Sequence, residues 1–270
     1  VTIPLIAEAQ EGYQEFEGQH DSVWRLKASN GRLIGGYGDN FSYDGSKVVA
    51  VPGEAQVLLD VGKDTGTMSV TFTGTINPEK DRTYSGEIKL VYNQFMGTMP
   101  FMEGGVADFV ILHGDSGQEA PVVPKIRTFL ATWGPADLYV NGELVYQGLG
   151  GHMMLTERSR DLTTNAIYAD AGRTAFYSPM EPSKGYIVAP DEWELHFVAH
   201  TFVKDPNNFP GHTVWIHLNF GTVEDLPAPA VLPETGGAQS IGSGLWVALL
   251  ALGGLALLGL GIGLRRTVSR

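Results

Sequence analysis

Alternation of polar and apolar residues, with a period of two, is the main pattern of this chain. In Thr67–Thr73 three apolar residues alternate with threonine and serine, which is typical of a β-strand. The strand-like segments 137–140 and 143–146 flank Asn141-Gly142, a pair that strongly favours a two-residue hairpin turn. The pattern therefore predicts antiparallel strands joined by tight turns.

Strand-like segments recur along most of the chain, with turn sequences such as Ser29-Asn30-Gly31 between them. Further strands are predicted at 87–92, 107–112, 194–203 and 213–220, and weaker ones at 22–28, 32–34, 55–61 and 185–188. These short strands indicate an all-β fold, either an antiparallel β-sandwich or a barrel. Residues 117–124 are a candidate seam between two domains, but without an internal repeat we favour one domain.

The C-terminal region has a different pattern, an uncharged apolar run at residues 241–264. As a helix this run would extend about 36 Å at ~1.5 Å per residue, enough to cross a hydrocarbon core of roughly 30 Å. Arg265, Arg266 and Arg270 follow it, so the positive-inside rule places residues 265–270 in the cytoplasm. The sequence thus predicts a single C-terminal transmembrane helix behind an extracellular domain.

A short motif, Leu232-Pro233-Glu234-Thr235-Gly236, precedes this apolar run. The order of motif, apolar span and basic tail resembles the sorting signal of LPXTG surface proteins of Gram-positive-type bacteria. The resemblance covers only the C-terminal tail. It implies that a sortase cleaves between Thr235 and Gly236 and joins Thr235 to cell-wall peptidoglycan. In a host without a sortase, the same tail would be a single-pass membrane anchor.

Two segments border the predicted extracellular domain of residues 10–225. On its C-terminal side, residues 226–240 form a proline-rich linker that contains the motif, and proline favours a stiff, extended backbone. On its N-terminal side, residues 1–9 are mostly apolar and end in Ala-Glu-Ala. This ending is typical of a signal peptide before its cleavage site, but the same residues also suit a first strand. Both interpretations stay open.

Composition narrows the classes of function. Residues 1–240 carry 15 basic and 30 acidic residues, a net charge of −15, which is the wrong sign for binding nucleic acid. The absence of cysteine excludes disulfides, thiolate catalysis and cysteine-ligated metals. No P-loop, nucleophile elbow or dinucleotide fingerprint is present. We interpret Asp115-Ser116-Gly117 as a turn rather than as a serine nucleophile loop.

Histidines cluster on two neighbouring strands that we expect to form a hairpin. Alternation places His196 and His200 on one face of the first strand and His217 on the matching face of the second. The opposite faces are wholly apolar and should lie in the core. In the register we assume, His196 opposes His217 and His200 opposes Thr213. Trp215 shares the histidine face, where we expect it to be exposed.

Opposed imidazoles on adjacent strands can share a metal ion, because their Cβ atoms lie about 5 Å apart. His152, beside two methionines, and His113, near Asp115, are candidates for a further ligand. Nitrogen with soft sulfur would favour copper, whereas histidine with a carboxylate would favour zinc. Metal sites need three or four converging ligands. Without them, these histidines are polar residues on a sheet face.

These features lead to two hypotheses on function. The favoured one is a non-enzymatic cell-surface protein that a sortase anchors to the wall. Its β-rich domain would bind an extracellular ligand, as in adhesion, or have a structural role in the envelope. The alternative is a zinc- or copper-binding surface protein, or a metalloenzyme, that uses the histidine-bearing hairpin.

Overall fold

The computed structural model describes residues 22–37, 44–97, 104–112, 125–169, 172–176, 186–187, 192–208 and 211–226. The regular elements in these ranges are eleven strands, a 3₁₀ turn at Val61–Lys63 and 3₁₀ residues at 104–105, before the sixth strand. The strands are β1 (Val23–Gly35), β2 (Val49–Val51), β3 (Gly53–Asp60), β4 (Thr65–Glu79), β5 (Arg82–Tyr92), β6 (Val106–Leu112), β7 (Lys125–Val140), β8 (Glu143–Glu157), β9 (Tyr186–Ile187), β10 (Trp193–His200) and β11 (Trp215–Asp225). The prediction of an all-β fold is therefore confirmed for the described residues.

The strands form one sheet that closes on itself. Neighbours pair in the order β1, β3, β4, β5, β7, β8, β10 and β11, and β11 pairs again with β1. All of these pairings are antiparallel. The short strands β2 and β6 add to β1 and β7, and β9 pairs with β7 in parallel. The described strands thus belong to one closed sheet, not to two stacked ones.

The interior of the closed sheet holds the main hydrophobic core, because every second side chain along a strand points inward. The inward-facing residues of the two histidine-bearing strands are Leu195, Phe197 and Ala199 of β10 and Ile216, Leu218 and Phe220 of β11. Each of them is at most 1 % exposed. The two faces that the sequence identified as core are therefore confirmed as core.

The two ends of the closed sheet carry different connections. β1 begins and β11 ends at one end, where the Leu226 amide donates to the Arg25 carbonyl at 2.7 Å. We call it the terminal end. At the opposite end lie the turn between β4 and β5 and the Asn141-Gly142 turn between β7 and β8. We call it the hairpin end. The antiparallel pairing thus brings the start of the first strand beside the end of the last.

The predicted turn at Ser29-Asn30-Gly31 is wrong, since β1 runs through it. Asn30 adopts a left-handed φ of 58°, and pairing with β11 continues on both sides, from Ser29 to Thr222 and from Gly31 to Phe220. The Asn30 side-chain amide also donates to the Thr222 hydroxyl at 2.7 Å. A local irregularity within a strand, which asparagine tolerates, therefore replaces the predicted chain reversal.

Several predicted segments lie outside the described residues. They are residues 1–9, the candidate seam at 117–124, the motif Leu232–Gly236, the apolar run at 241–264 and the basic tail at 265–270. No helix within the described ranges is long and apolar enough to cross a membrane. These assignments therefore stay predictions from the sequence.

The Asn141-Gly142 hairpin is confirmed and yields a test of the fold. Val140 pairs with Glu143, and the two turn residues have φ values of 52° and 82°, as a two-residue turn of this kind requires. A Cβ at Gly142 would meet no atom within 4 Å, so only backbone strain opposes a side chain there. We expect Gly142→Val to lower the free energy of unfolding by about 1–2 kcal/mol in urea titrations.

Gly142→Asn is the matched control, because asparagine adopts positive φ more readily than valine. It should cost clearly less than Gly142→Val. Equal losses for the two variants would show that strain at positive φ does not account for the preference for glycine.

Candidate functional site

A band of buried residues crosses the outer face of the closed sheet. Consecutive cross-strand partners in this band are Arg32 of β1, Asn219 of β11, His196 of β10, Met154 of β8, Ala131 of β7 and Ala107 of β6. Each is at most 9 % exposed. The band is apolar on β6, β7 and β8 and polar on β1, β10 and β11. Its polar half includes His196, a residue predicted from the sequence, and another such residue, His217, lies two positions before Asn219 on the same face of β11.

Residues 158–168, which follow β8, form a covering segment for the polar half of the band. The segment folds back on itself, and the Tyr168 amide donates to the Ser159 carbonyl at 3.0 Å. Asp161 organises the turn by accepting hydrogen bonds from the Thr164 amide at 2.7 Å and the Tyr168 hydroxyl at 2.7 Å. These bonds lower the pKa of Asp161 to about 2. The turn thus depends on an ionised aspartate.

The carboxylate of Glu194 joins the covering segment to the sheet. Its Oε1 atom accepts hydrogen bonds from the Ser159 amide at 2.9 Å, the Ser159 hydroxyl and His196 Nε2 at 2.8 Å. Glu194 is fully buried. Burial alone would raise the pKa of Glu194, but the electrostatic interaction with His196 and the hydrogen bonds from His196 and Ser159 outweigh it and lower the pKa to about 2. Glu194 is therefore a buried, ionised residue that links β10 to the covering segment.

His196 and His217 do meet, although the predicted register is wrong by two residues. His196 opposes Asn219 and His217 opposes Val198. Because long side chains reach diagonal neighbours, His196 Nδ1 still lies 3.1 Å from His217 Nε2. The side-chain nitrogen of Asn219 lies 3.3 Å from His196 Nε2. The two imidazoles thus form a buried pair next to Glu194.

Two arginines border this pair, and opposite charges accompany them. Arg158 donates through Nε to Glu192 at 2.6 Å and through a terminal nitrogen to the Gly221 carbonyl at 2.9 Å. A Cβ on Gly221 would lie 3.3 Å from Arg32 and 3.5 Å from Arg158, so both guanidinium groups pack over this glycine. Burial lowers the pKa of Arg32, an effect that the charge of Glu194 opposes. The cluster is thus a network of buried charges of both signs.

His200 belongs to a separate group at the hairpin end. It opposes Trp215, not Thr213 as predicted. Its Nδ1 donates to the Thr201 carbonyl at 2.9 Å, and His212 Nδ1 donates to the same carbonyl at 2.6 Å. Both imidazoles stack on Trp215 at 5.7 Å. They cover Trp215, which is only 8 % exposed, so the expectation that it is exposed is wrong.

His152 does not join the imidazole pair. Its Nδ1 lies 2.8 Å from the Thr132 carbonyl, and its ring stacks on Trp133 at 5.0 Å. Val198 pairs with His152 on one side and with His217 on the other, so it separates the two histidines. His113 lies outside the described residues. The four predicted ligands, His152, His196, His200 and His217, are therefore distributed over three places.

The geometry limits the chemistry that the polar cluster can perform. Within the described ranges, no three His, Asp or Glu side chains converge as metal ligands would. His196 uses one nitrogen toward Glu194 and the other toward His217. The hydroxyl of Ser159 donates to Glu194, whereas a serine nucleophile must donate to a base that can take its proton. The cluster is therefore built to hold the covering segment in place.

The lowered pKa of Glu194 predicts a specific dependence of stability on pH. A carboxyl with an ordinary pKa of 4.5 and a folded pKa of about 2 binds its proton more weakly in the folded state. Its contribution is complete above about pH 4.5 and is lost as the pH falls towards 2, on the order of 3 kcal/mol in total. In urea titrations across this range, Glu194→Gln should reduce the loss of stability with falling pH.

The exposed residue Glu143 offers a control, because Glu143→Gln should leave the pH dependence of unfolding as it is in the natural chain. If Glu194→Gln follows the same pH curve as the natural chain, the carboxylate is not held ionised by this cluster.

Comparisons with known proteins provide no relative from which a role could be transferred to this site. No protein-family model matches the chain, and the comparisons with curated proteins and with solved structures found no match either. The functional proposal therefore depends on the residues and their geometry.

Proposed function

We propose that this chain is a cell-surface protein that displays a β-rich extracellular domain and is anchored covalently to the cell wall by a sortase. The observation that supports this proposal is the order of three features: Leu232–Gly236, the apolar run 241–264 and the arginines that follow. The membrane span would hold the precursor while the sortase acts at Thr235. The partners of this step are the sortase and cell-wall peptidoglycan. The displayed domain serves in binding or in the structure of the envelope.

The arrangement of the strands suits attachment through the C-terminus. β11 ends at Asp225, immediately before the linker at residues 226–240. Prolines in this linker favour an extended backbone of ~3.1 Å per residue, which would separate the domain from its attachment point. The terminal end of the sheet then faces the wall, and the hairpin end faces outward.

The hairpin end carries surface features that suit a binding role. Phe202 is 76 % exposed and Val203 is 63 % exposed, and adjacent exposed apolar side chains of this kind are typical of interaction surfaces. Nearby, the Tyr37 hydroxyl donates to Asp205 at 2.5 Å. A polar depression of about 270 Å³ lies at this end, lined by Tyr37, Asn77, Glu79, Lys80, Asp81, Arg82 and Thr83. An extracellular ligand would reach this surface first.

Sortase anchoring makes a direct prediction about the mature chain. Released from the wall by a muramidase, it should end at Thr235 in an amide bond to a peptidoglycan fragment, as judged by mass spectrometry. Thr235→Ala should leave the protein in the membrane fraction, because the substitution keeps the backbone carbonyl that a sortase would transfer but removes the threonine side chain that the motif requires.

Glu234→Gln is the matched control, since the motif leaves this position open, and it should reach the wall normally. A mature natural chain that keeps residues 236–270 would contradict wall anchoring and would leave a single-pass membrane anchor.

The alternative function, binding of zinc or copper by the histidine-bearing hairpin, is tested by metal analysis. We expect the purified full chain to carry less than one zinc or copper ion per molecule, because His196 already bonds to Glu194 and contacts His217. His196→Ala and His217→Ala should leave this content unchanged. Stoichiometric metal that these substitutions remove would establish the alternative.

A further inference from the structure

Four aromatic rings form a closed circuit at the terminal end of the sheet interior. Ring centroids are 6.3 Å apart for Trp24 and Phe109, and 6.2 Å for Phe109 and Phe129. They are 5.9 Å apart for Phe129 and Trp193, and 6.2 Å for Trp193 and Trp24. Neighbouring planes are inclined by 45° to 89°. We call this arrangement the four-ring cluster. Its members are inclined to one another and form the walls of the cluster, and they are not stacked in parallel.

The four-ring cluster lies at the boundary between core and solvent. Its four members come from β1, β6, β7 and β10, and each side chain is half-buried. The next inward-facing residues along β8 and β10, Leu155 and Leu195, are fully buried. The core therefore forms the floor of the four-ring cluster, and the partial exposure of the four side chains leaves them accessible.

Irregular backbone positions both phenylalanines. Phe109 has a φ of 49°, which is uncommon and unfavourable for a bulky residue. The register of β6 and β7 omits Phe109, and that of β7 and β8 shifts at Phe129. Bulges of this kind redirect side chains, and they recur beside binding sites. The fold thus departs from regular pairing at the two places that supply these walls.

A buried carboxyl group lies beside the four-ring cluster. Glu157 pairs with Trp193 across β8 and β10 and is 1 % exposed. Its Oε1 lies 3.7 Å from a terminal nitrogen of Arg127, whereas Oε2 is buried and has no hydrogen-bond partner among the described residues. The indole N–H of Trp24 is also buried and has no acceptor in this part of the chain. Burial raises the pKa of Glu157 to about 7, against the opposing effect of Arg127.

We propose that the four-ring cluster and Glu157 form a binding site for an alkylammonium group. A cation is attracted to the faces of aromatic rings within about 6 Å of their centroids. An ammonium N–H would also supply the missing donor for Glu157 Oε2. An oxygen atom elsewhere on the ligand would accept from the indole of Trp24. The site does not depend on how the chain is anchored, so its test is independent of the sortase experiment.

A purely structural plug would explain the aromatic residues but not the acid. Aromatic side chains pack well at the edge of a core without polar help. A buried carboxyl oxygen without a donor costs free energy, as does a buried N–H without an acceptor. Glutamate at position 157 is therefore a disadvantage to a plug, whereas it completes a site for an ammonium ion.

The test is calorimetric titration of the full chain, purified in detergent, with methylammonium chloride, and with sodium chloride to control for ionic strength. We expect saturable binding of methylammonium only. Tetramethylammonium, which has no N–H, should bind more weakly. Glu157→Gln should weaken methylammonium binding at least about tenfold, because it removes the charge and keeps the shape. Glu143→Gln, at the exposed hairpin end, should have no effect.

Variants of one wall separate binding from folding. Trp193→Phe keeps an aromatic face and should retain binding, whereas Trp193→Leu should lose it, with thermal unfolding recorded for both. Absence of saturable methylammonium binding to the natural chain would overturn the proposal. Binding that is unchanged in Glu157→Gln, or in a folded Trp193→Leu chain, would overturn it as well.

Discussion

Pairing between β1 and β11 is the constraint on which the rest of the structure depends. It joins the first and last described strands, so each of the eight strands in the closed order pairs with a neighbour on both sides. In a chain without disulfides, this closure encloses the core. It also brings Arg32 beside Asn219 and so builds the polar half of the outer band. The same pairing sets Trp24 at the terminal end, near Trp193.

Two buried glutamates have different environments, and we assign them different roles. Glu194 receives three hydrogen bonds on one oxygen and stays ionised within a network of charges. Glu157 lies among aromatic side chains with Arg127 at 3.7 Å, and burial outweighs the effect of this arginine, so its pKa rises. In the first environment the three donors on Oε1 hold a segment in place, although Oε2 has no hydrogen-bond partner among the described residues. In the second, neither oxygen has a close donor among the described residues, and the proposed alkylammonium ligand would supply one to Oε2.

The sequence predicted what depends on local pattern. Strand period and turn chemistry revealed the all-β class, the Asn141-Gly142 hairpin and the shared face of His196 and His217. It could not reveal contacts that depend on long-range pairing. The predicted register of β10 and β11 was wrong by two residues, because a long connection, residues 201–214, joins these strands and does not fix their register. The covering segment was missed since residues 158–168 have no strand or helix period. The four-ring cluster combines residues from distant strands, and the bulges that position it have no signature in the pattern of polar and apolar residues.

The position of β11 also determines how the domain responds to mechanical load. This strand is bonded along both edges, to β1 and to β10, and it leads directly into the linker. Hydrogen bonds in an antiparallel pair run perpendicular to the strands. Tension that enters at Asp225 and is resisted at the hairpin end would therefore load both rows of bonds in shear, many at once. Tension between the adjacent ends of β1 and β11 would instead open their bonds one after another. In the C-terminal attachment proposed above, a pull on the hairpin end would load the strands in the first geometry, the mechanically stronger of the two.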